Sequence, residues 1–286
     1  MSYKILYVLI FLTVSTNAHA EIIASGNDCG ENCSWTIDDK GVLTVSGTGD
    51  MKDYSDPEEW SRTYPRPWQS YNNTVKEIVI GEGITSVGTW AFKDFKALET
   101  LTLADSVKKI GMIAFDSATS LNKINMSENS QLESINWQAF SHDKALTSFV
   151  VPSAATNVGS AAFHDTDTIV VYCPESNTSC KANIGGSGLT IIRFTQEDGI
   201  YKIGEGEDAK YYASTEAMVL GEDCGSKCAQ AKALSESGEP FVIDGKFYAS
   251  LSDYVKRNYI KKRIYTVDEA EMLSKPTGNT FRMRYK

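Results

Sequence analysis

The chain has 286 residues, with 37 acidic against 28 basic side chains and a formal net charge of −9. That balance disfavours nucleic acid as a partner, because binding there depends on neutralising phosphates. The length allows one long domain or two, and beyond residue 20 no apolar run is long enough to span a bilayer.

Residues 1–20 read as a signal peptide. Lys4 is the sole charge, Ile5 to Val14 is apolar, and Ala18 and Ala20 stand at the two small positions that a signal peptidase reads. The apolar stretch is too short for a stable transmembrane helix, and no Cys follows the cleavage point to carry a lipid anchor. The exported chain is therefore expected to be secreted or held at the cell surface, with the periplasm as the other destination. Residues 21–74 read as a β-rich N-terminal cap. Trp35–Ile37 and Leu43–Val45 alternate, with the turn signal Asp38-Asp39-Lys40-Gly41 between them. Trp35, Trp60 and Trp68 are candidate lids over the open end of the neighbouring segment, residues 75–172.

Residues 75–172 repeat themselves. Ile78, Leu101, Ile124 and Phe149 open four units, and Ile80, Leu103, Met126 and Val151 follow two residues later. Ile84, Val107, Leu132 and Ala155 come next, then Val87, Ile110, Ile135 and Val158. Each unit continues with Gly88, Gly111, Asn136 or Gly159 and then an Ala-Phe pair ending at Phe92, Phe115, Phe140 or Phe163. Leu98, Leu121, Leu146 and Ile169 close the units. The step is 23 residues, apart from two extra residues in the third unit around Glu128 to Gln131. Such a period is the mark of a solenoid, in which no single unit has a core and stacked units share one. The first apolar pair predicts a parallel strand, and the second predicts another wall of the coil. Gly or Asn predicts a corner with positive φ, and Ala-Phe with Leu six residues on predicts one helical turn.

These columns resemble leucine-rich repeats of the BspA type, found in bacterial surface antigens. The flanks add to the likeness: Asp28-Cys29-Gly30-Glu31-Asn32-Cys33-Ser34-Trp35, then Ser46 to Gly49, then Pro67-Trp68. The resemblance implies a right-handed, curved solenoid used for adhesion or partner binding, and not an enzyme. The fold class is thus α/β and β-rich: about four 23-residue repeats, a β-rich N-terminal cap and a small α+β C-terminal tail.

Residues 173–195 are expected to close the far end of the solenoid, through a loop to Cys180, the turn Gly185 to Gly188 and a strand from Leu189 to Phe194. Residues 196–286 form the tail. Within it Lys210–Ser214 and Lys246–Ser250 match at a distance of 36 residues, each beginning as a strand. Ala229–Ser235 has helical composition, Phe241–Ile243 with Asp244-Gly245 opens a hairpin, Val267–Leu273 follows a capping box, and Phe281–Tyr285 alternates. Residues 246–286 hold ten basic against four acidic side chains, so they carry +6 and the rest of the chain −15. The run Lys256-Arg257 to Lys261-Lys262-Arg263 is a solvated face, or a patch for an acidic polymer, an anionic lipid surface or the chain's own acidic part.

Six Cys lie in three close pairs, Cys29 with Cys33, Cys173 with Cys180 and Cys224 with Cys228. Export favours three local disulfides, with free thiols and zinc as the alternatives. Zinc needs four ligands, and past the leader there are two His, His142 and His164, far from every Cys in sequence. Both read as surface residues on the convex turns. No G-x-S-x-G, P-loop or H-E-x-x-H occurs, so catalytic residues, cofactor-binding residues and metal ligands are all expected to be absent. Sequons stand at Asn32, Asn72, Asn125 and Asn177.

A parallel sheet would point Glu77, Val79, Thr100, Thr102, Lys123, Asn125, Ser148 and Val150 outward as a small, mixed ladder. That is the candidate surface for a protein or glycan partner, as in adhesion or contact with a host or envelope component. The second function carried by the sequence is a secreted hydrolase or modulator whose activity lies in residues 196–286.

Overall fold

The computed structural model describes residues 20–55, 64–197, 200–205, 209–212, 214–224, 230–231, 233–234, 240–243, 246–248, 250 and 254. Strands β1 (Ile22–Gly26), β2 (Gly30–Asp38) and β3 (Val42–Met51) open the fold and pair antiparallel in turn. The turn between β2 and β3 is held by the Asp38 carboxylate, which accepts from the amides of Lys40 and Val42 at 3.0 and 2.8 Å.

β3 then founds two walls. Its first half, Val42–Val45, pairs parallel with β4 (Glu77–Ile80), and its far end at Gly49 and Asp50 pairs with β5 (Ile84–Val87). A straight strand could not feed both. Gly47 and Gly49 have φ of 129° and 85°, which only glycine adopts cheaply, and they carry the strand around the corner.

The coils follow as β6 (Thr100–Leu103) and β7 (Lys109–Ile110), β8 (Lys123–Asn125) and β9 (Ser134–Ile135), and β10 (Ser148–Val150) and β11 (Asn157–Val158). The first wall runs β3-β4-β6-β8 and the second β3-β5-β7-β9-β11, all parallel from β3 onward.

The third wall differs from the sequence expectation. It contains no helical turn. Trp90 and Asp94, Ile113 and Ser117, Gln138 and His142, and Ala161 and Asp165 all have positive φ and flank the four Ala-Phe pairs. Alternate amides of this wall bond to the next coil, Phe92 N to Ala114 O at 2.8 Å, Phe115 N to Ala139 O at 2.9 Å and Phe140 N to Ala162 O at 2.8 Å, while amides between them, such as Ala91 N to Gly88 O, close tight turns. A helix would close those bonds within itself; here they tie one coil to another. The corner glycines also act otherwise than expected, since none of Gly88, Gly111 and Gly159 has positive φ. A Cβ on Gly111 would sit 2.5 Å from the Thr89 nitrogen, and one on Gly159 2.6 Å from the Trp137 nitrogen. Close approach of neighbouring coils is what excludes a side chain there.

The interior is one continuous core. Phe92, Phe115, Phe140 and Phe163 are fully buried, with successive centroids 5.4, 5.3 and 5.7 Å apart and planes within 18°. Trp68 heads the column at 5.1 Å from Phe92, donates its indole N–H to Ala91 O at 2.8 Å, and takes Trp35 edge-on. Two of the three candidate lids thus cover the first coil; Trp60 lies outside the described residues.

The two extra residues of the third unit coincide with a break. β10 does not join β8 but begins a second sheet, β10-β12-β13-β14-β15, with β12 (Ile169–Pro174), β13 (Leu189–Glu197), β14 (Ile200–Ile203) and β15 (Lys210–Tyr212). The second wall runs on unbroken past the same point. Residue 195, where the solenoid cap was expected to end, lies inside β13, and β14 and β15 extend the sheet by antiparallel pairing. Helix α1 (Thr215–Leu220) comes next, capped by the Ser214 side chain. A hairpin of β16 (Phe241–Ile243) and β17 (Lys246–Tyr248) stands where the sequence placed one. The matched Lys210 and Lys246 segments each begin as a strand, β15 and β17, and beyond β17 the Tyr254 amide donates to Ser250 O at 3.1 Å.

Disulfides join Cys29 to Cys33 and Cys173 to Cys180. Cys224 is also disulfide-bonded, while Cys228 lies outside the described residues. The leader up to residue 19, the basic run 256–263, the helix 267–273 and the strand 281–285 lie outside them as well. Among the described residues no helix is long and apolar enough to cross a membrane.

Candidate binding surface

The outward face of the first wall carries two rows set by strand register. Val42, Glu77, Thr100 and Lys123 align in one, and Thr44, Val79, Thr102 and Asn125 in the other. The rungs are coupled, since the Asn125 amide donates to the Thr102 hydroxyl at 3.1 Å. Glu77, Thr100, Thr102 and Asn125 are half-buried, Lys123 is exposed, and Val79 is buried at 7% exposure. Val79 is therefore a packing residue within the ladder more than a contact point.

The fourth rung stands apart. Ser148 and Val150 belong to the second sheet, where Ser148 aligns with Val170 and Val150 with Tyr172. Val150, Val170 and Ile192 pack against a second core made of Tyr172, Phe194, Tyr201, Tyr212 and Met218. The chain's own β14, β15 and α1 thus cover the outer face where the sequence placed the last two ladder residues. The cover is tied down. Ser153 donates to the Gln196 side chain at 2.7 Å, and Gln196 donates to the Tyr201 hydroxyl at 3.1 Å. Burial and the neighbouring Glu128 carboxylate, to which it hydrogen-bonds, push the Tyr201 phenol well above its ordinary range. Glu128 belongs to the two-residue insertion, so the loop that breaks the sheet also meets the segment covering the break's far side. A cavity of about 390 Å³ remains under α1, lined by Tyr172, Ile192, Lys210, Tyr212 and Met218 among others. Lys210 is its sole charged lining residue among those described.

The geometry matches known proteins in one respect above all. The model of the BspA type leucine rich repeat region matches six copies over residues 69–184. Residues 69–184 are a BspA-type leucine-rich repeat region. The first of the six copies begins directly after Trp68, the residue that heads the aromatic column. A leucine-rich repeat protein from Eubacterium ventriosum is 26% identical, with a TM-score of 0.51 over 63% of this chain and 48% of its own. A leucine rich cell surface protein from Faecalibacterium prausnitzii is 17% identical, with a TM-score of 0.35 over 66% of this chain and 60% of its own. The chain spans about half the length of these solved relatives. No curated protein matches it.

The leucine-rich repeats also hold a constellation that the sequence reading left unassembled. On the convex wall Lys93 Nζ lies 2.6 Å from Asp116 Oδ2, and Asp116 Oδ1 lies 2.8 Å from His142 Nδ1. His142 and His164, 22 residues apart, occupy neighbouring coils, and His142 N donates to His164 O at 2.7 Å. The signal was present, because a separation near the repeat period places two residues side by side on a solenoid. Next to them Asp143 is fully buried and caps the Ala118 amide at 2.8 Å, and burial holds its carboxyl well above the usual carboxylate range.

Two sequons are engaged. The Asn125 amide bonds within the ladder as above. The Asn177 amide is buried and donates to Ala155 O at 2.7 Å, and Ser179 of the same sequon donates to Asn177 and caps Val158 N at 2.7 Å. The side chains of Asn177 and Ser179 finish the exposed edge of β11, which a solenoid must protect from further pairing.

Proposed function

We propose that this chain is an exported, non-catalytic interaction protein that binds a protein or glycan partner through its leucine-rich repeats, in adhesion or in contact with a host or envelope component. The observation that carries the reading is the outward ladder of Glu77, Thr100, Thr102, Lys123 and Asn125, regular, half-buried or exposed, and outside the second core. A row of short polar side chains at strand spacing suits an extended polymer laid across the strands. The leader-like residues 1–20 and the disulfides support export to an oxidising compartment.

The experiment uses the full chain against a panel of immobilised glycans and matrix proteins. Thr102→Arg and Asn125→Arg each lower affinity for any bound member at least about tenfold, a loss of roughly 1.4 kcal/mol. Thr156→Arg, on an exposed residue beside β11, leaves it unchanged. A partner that binds all three variants alike refutes the ladder as the site.

A further inference from the structure

We propose that His142, His164 and Asp165 form a divalent transition-metal site on the convex wall, suited to Zn²⁺. Their ligand atoms lie within 4.8 Å of one another. Asp165 Oδ2 is 3.5 Å from His142 Nε2 and 3.6 Å from His164 Nδ1. Those separations are long for hydrogen bonds. They match the edge of a tetrahedron whose metal–ligand bonds are ~2.0–2.2 Å, which is roughly 3.3–3.6 Å. The His164 Nδ1 atom is buried and has no hydrogen-bond partner, although its ring is half-exposed. An imidazole nitrogen that no protein donor or acceptor engages keeps its lone pair for a metal.

The groups that orient His142 are in place as well. Asp116 is buried and paired with Lys93 at 2.6 Å, and a carboxylate in such an ion pair can only accept. His142 Nδ1, 2.8 Å from Asp116 Oδ1 and 3.0 Å from Ser141 Oγ, therefore carries the proton. That leaves the Nε2 lone pair free on the side facing Asp165. A carboxylate orienting a ligating imidazole through its other nitrogen is the usual support of a zinc ligand. The backbone contributes too, because His142 and Asp165 both have positive φ, 63° and 56°, and the bond from His142 N to His164 O fixes the coils in register. Two imidazoles and one carboxylate favour Zn²⁺, Ni²⁺ or Cu²⁺ over Mg²⁺ or Ca²⁺, which take oxygen ligands. Three protein ligands leave a fourth position for water or a donor from another molecule.

The test is titration of the untagged, chelator-treated full chain with ZnCl₂, and with Co²⁺ as a spectroscopic probe. One equivalent binds, and Co²⁺ gives the visible absorption of a four-coordinate site. His164→Ala and Asp165→Ala, both at half-exposed side chains, abolish binding while the far-ultraviolet circular dichroism stays unchanged. Asp116→Asn reaches the metal through His142 and supplies no ligand of its own, so it keeps the stoichiometry and weakens affinity about 10–100-fold. Absence of saturable binding to the unaltered chain overturns the site, and so does binding that survives His164→Ala. If either alanine variant unfolds, protection of the two imidazoles from diethyl pyrocarbonate by one equivalent of Zn²⁺ on the unaltered chain decides instead, and lack of protection overturns it.

Discussion

Gly111 shows how little room neighbouring coils leave each other. Its backbone runs against Val87, Gly88 and Thr89 of the coil before, and an added Cβ would meet main-chain atoms at 2.5 to 2.8 Å. Main chain cannot rotate aside as a side chain does, so Gly111→Ala must part the coils. The expected loss is about 1–3 kcal/mol or more, as for overpacking elsewhere, read as a lower urea midpoint at unchanged m-value. The sequence marked this position as a corner, but it offered positive φ as the reason. A glycine needed for positive φ and one needed for close approach are the same letter. The residues that do adopt positive φ, Ile113 among them, carry no such mark, because the strain is held by bonds to the next coil rather than relieved by composition. His142 and His164 make the same point for the convex site. Their spacing was readable, yet their pairing with Asp116 and Asp165 depends on which way the side chains of His142 and Asp165 leave a left-handed backbone.

At the scale of the element, the aromatic column is what the repeat exists to build. Phe92, Phe115 and Phe140 each stack on a ring before and a ring after, so a deletion in mid-column removes two stacking contacts and leaves a cavity. Phe115→Ala is expected to cost about 3–5 kcal/mol, and Phe163→Ala, with a Phe ring on one side of the column, less. Equilibrium urea unfolding of the two variants measures the difference, and equal losses would contradict a column continuous through Phe115. The column was legible because it rests on periodicity alone. The third wall was not, since Ala-Phe followed by Leu fits a helical turn as well as it fits a wall bonded coil to coil. Nothing local separates the two; the hydrogen bonds that decide it run to residues 22 to 24 positions away.

Across the whole molecule, the solenoid ends differently at its two faces. The second wall stops at side-chain caps from Asn177 and Ser179, and the first stops at β8, beyond which β10 opens a second sheet packed against α1. The loop between Cys173 and Cys180 stands at this junction, and Arg193 braces it by donating to the carbonyls of Pro174, Asn177 and Cys180. Closing so short a loop is worth about 2.5 kcal/mol in the chain-entropy account. Replacing both Cys173 and Cys180 by Ser should therefore lower unfolding free energy by roughly 2–3 kcal/mol while leaving the Phe column intact, as near-ultraviolet circular dichroism would show. Repetition of residue types at a steady interval was enough, without coordinates, to establish a stacked solenoid, its inward columns, its aromatic spine and its capped first coil. Burying apolar side chains at a fixed period admits few other arrangements. Tertiary structure alone decided that a two-residue insertion splits one wall and spares the other, and that the chain's later strands cover the last rung of the outward ladder. It also decided that two histidines and two aspartates from three successive coils converge on the convex wall. Those outcomes depend on contacts between segments whose own patterns are silent about each other.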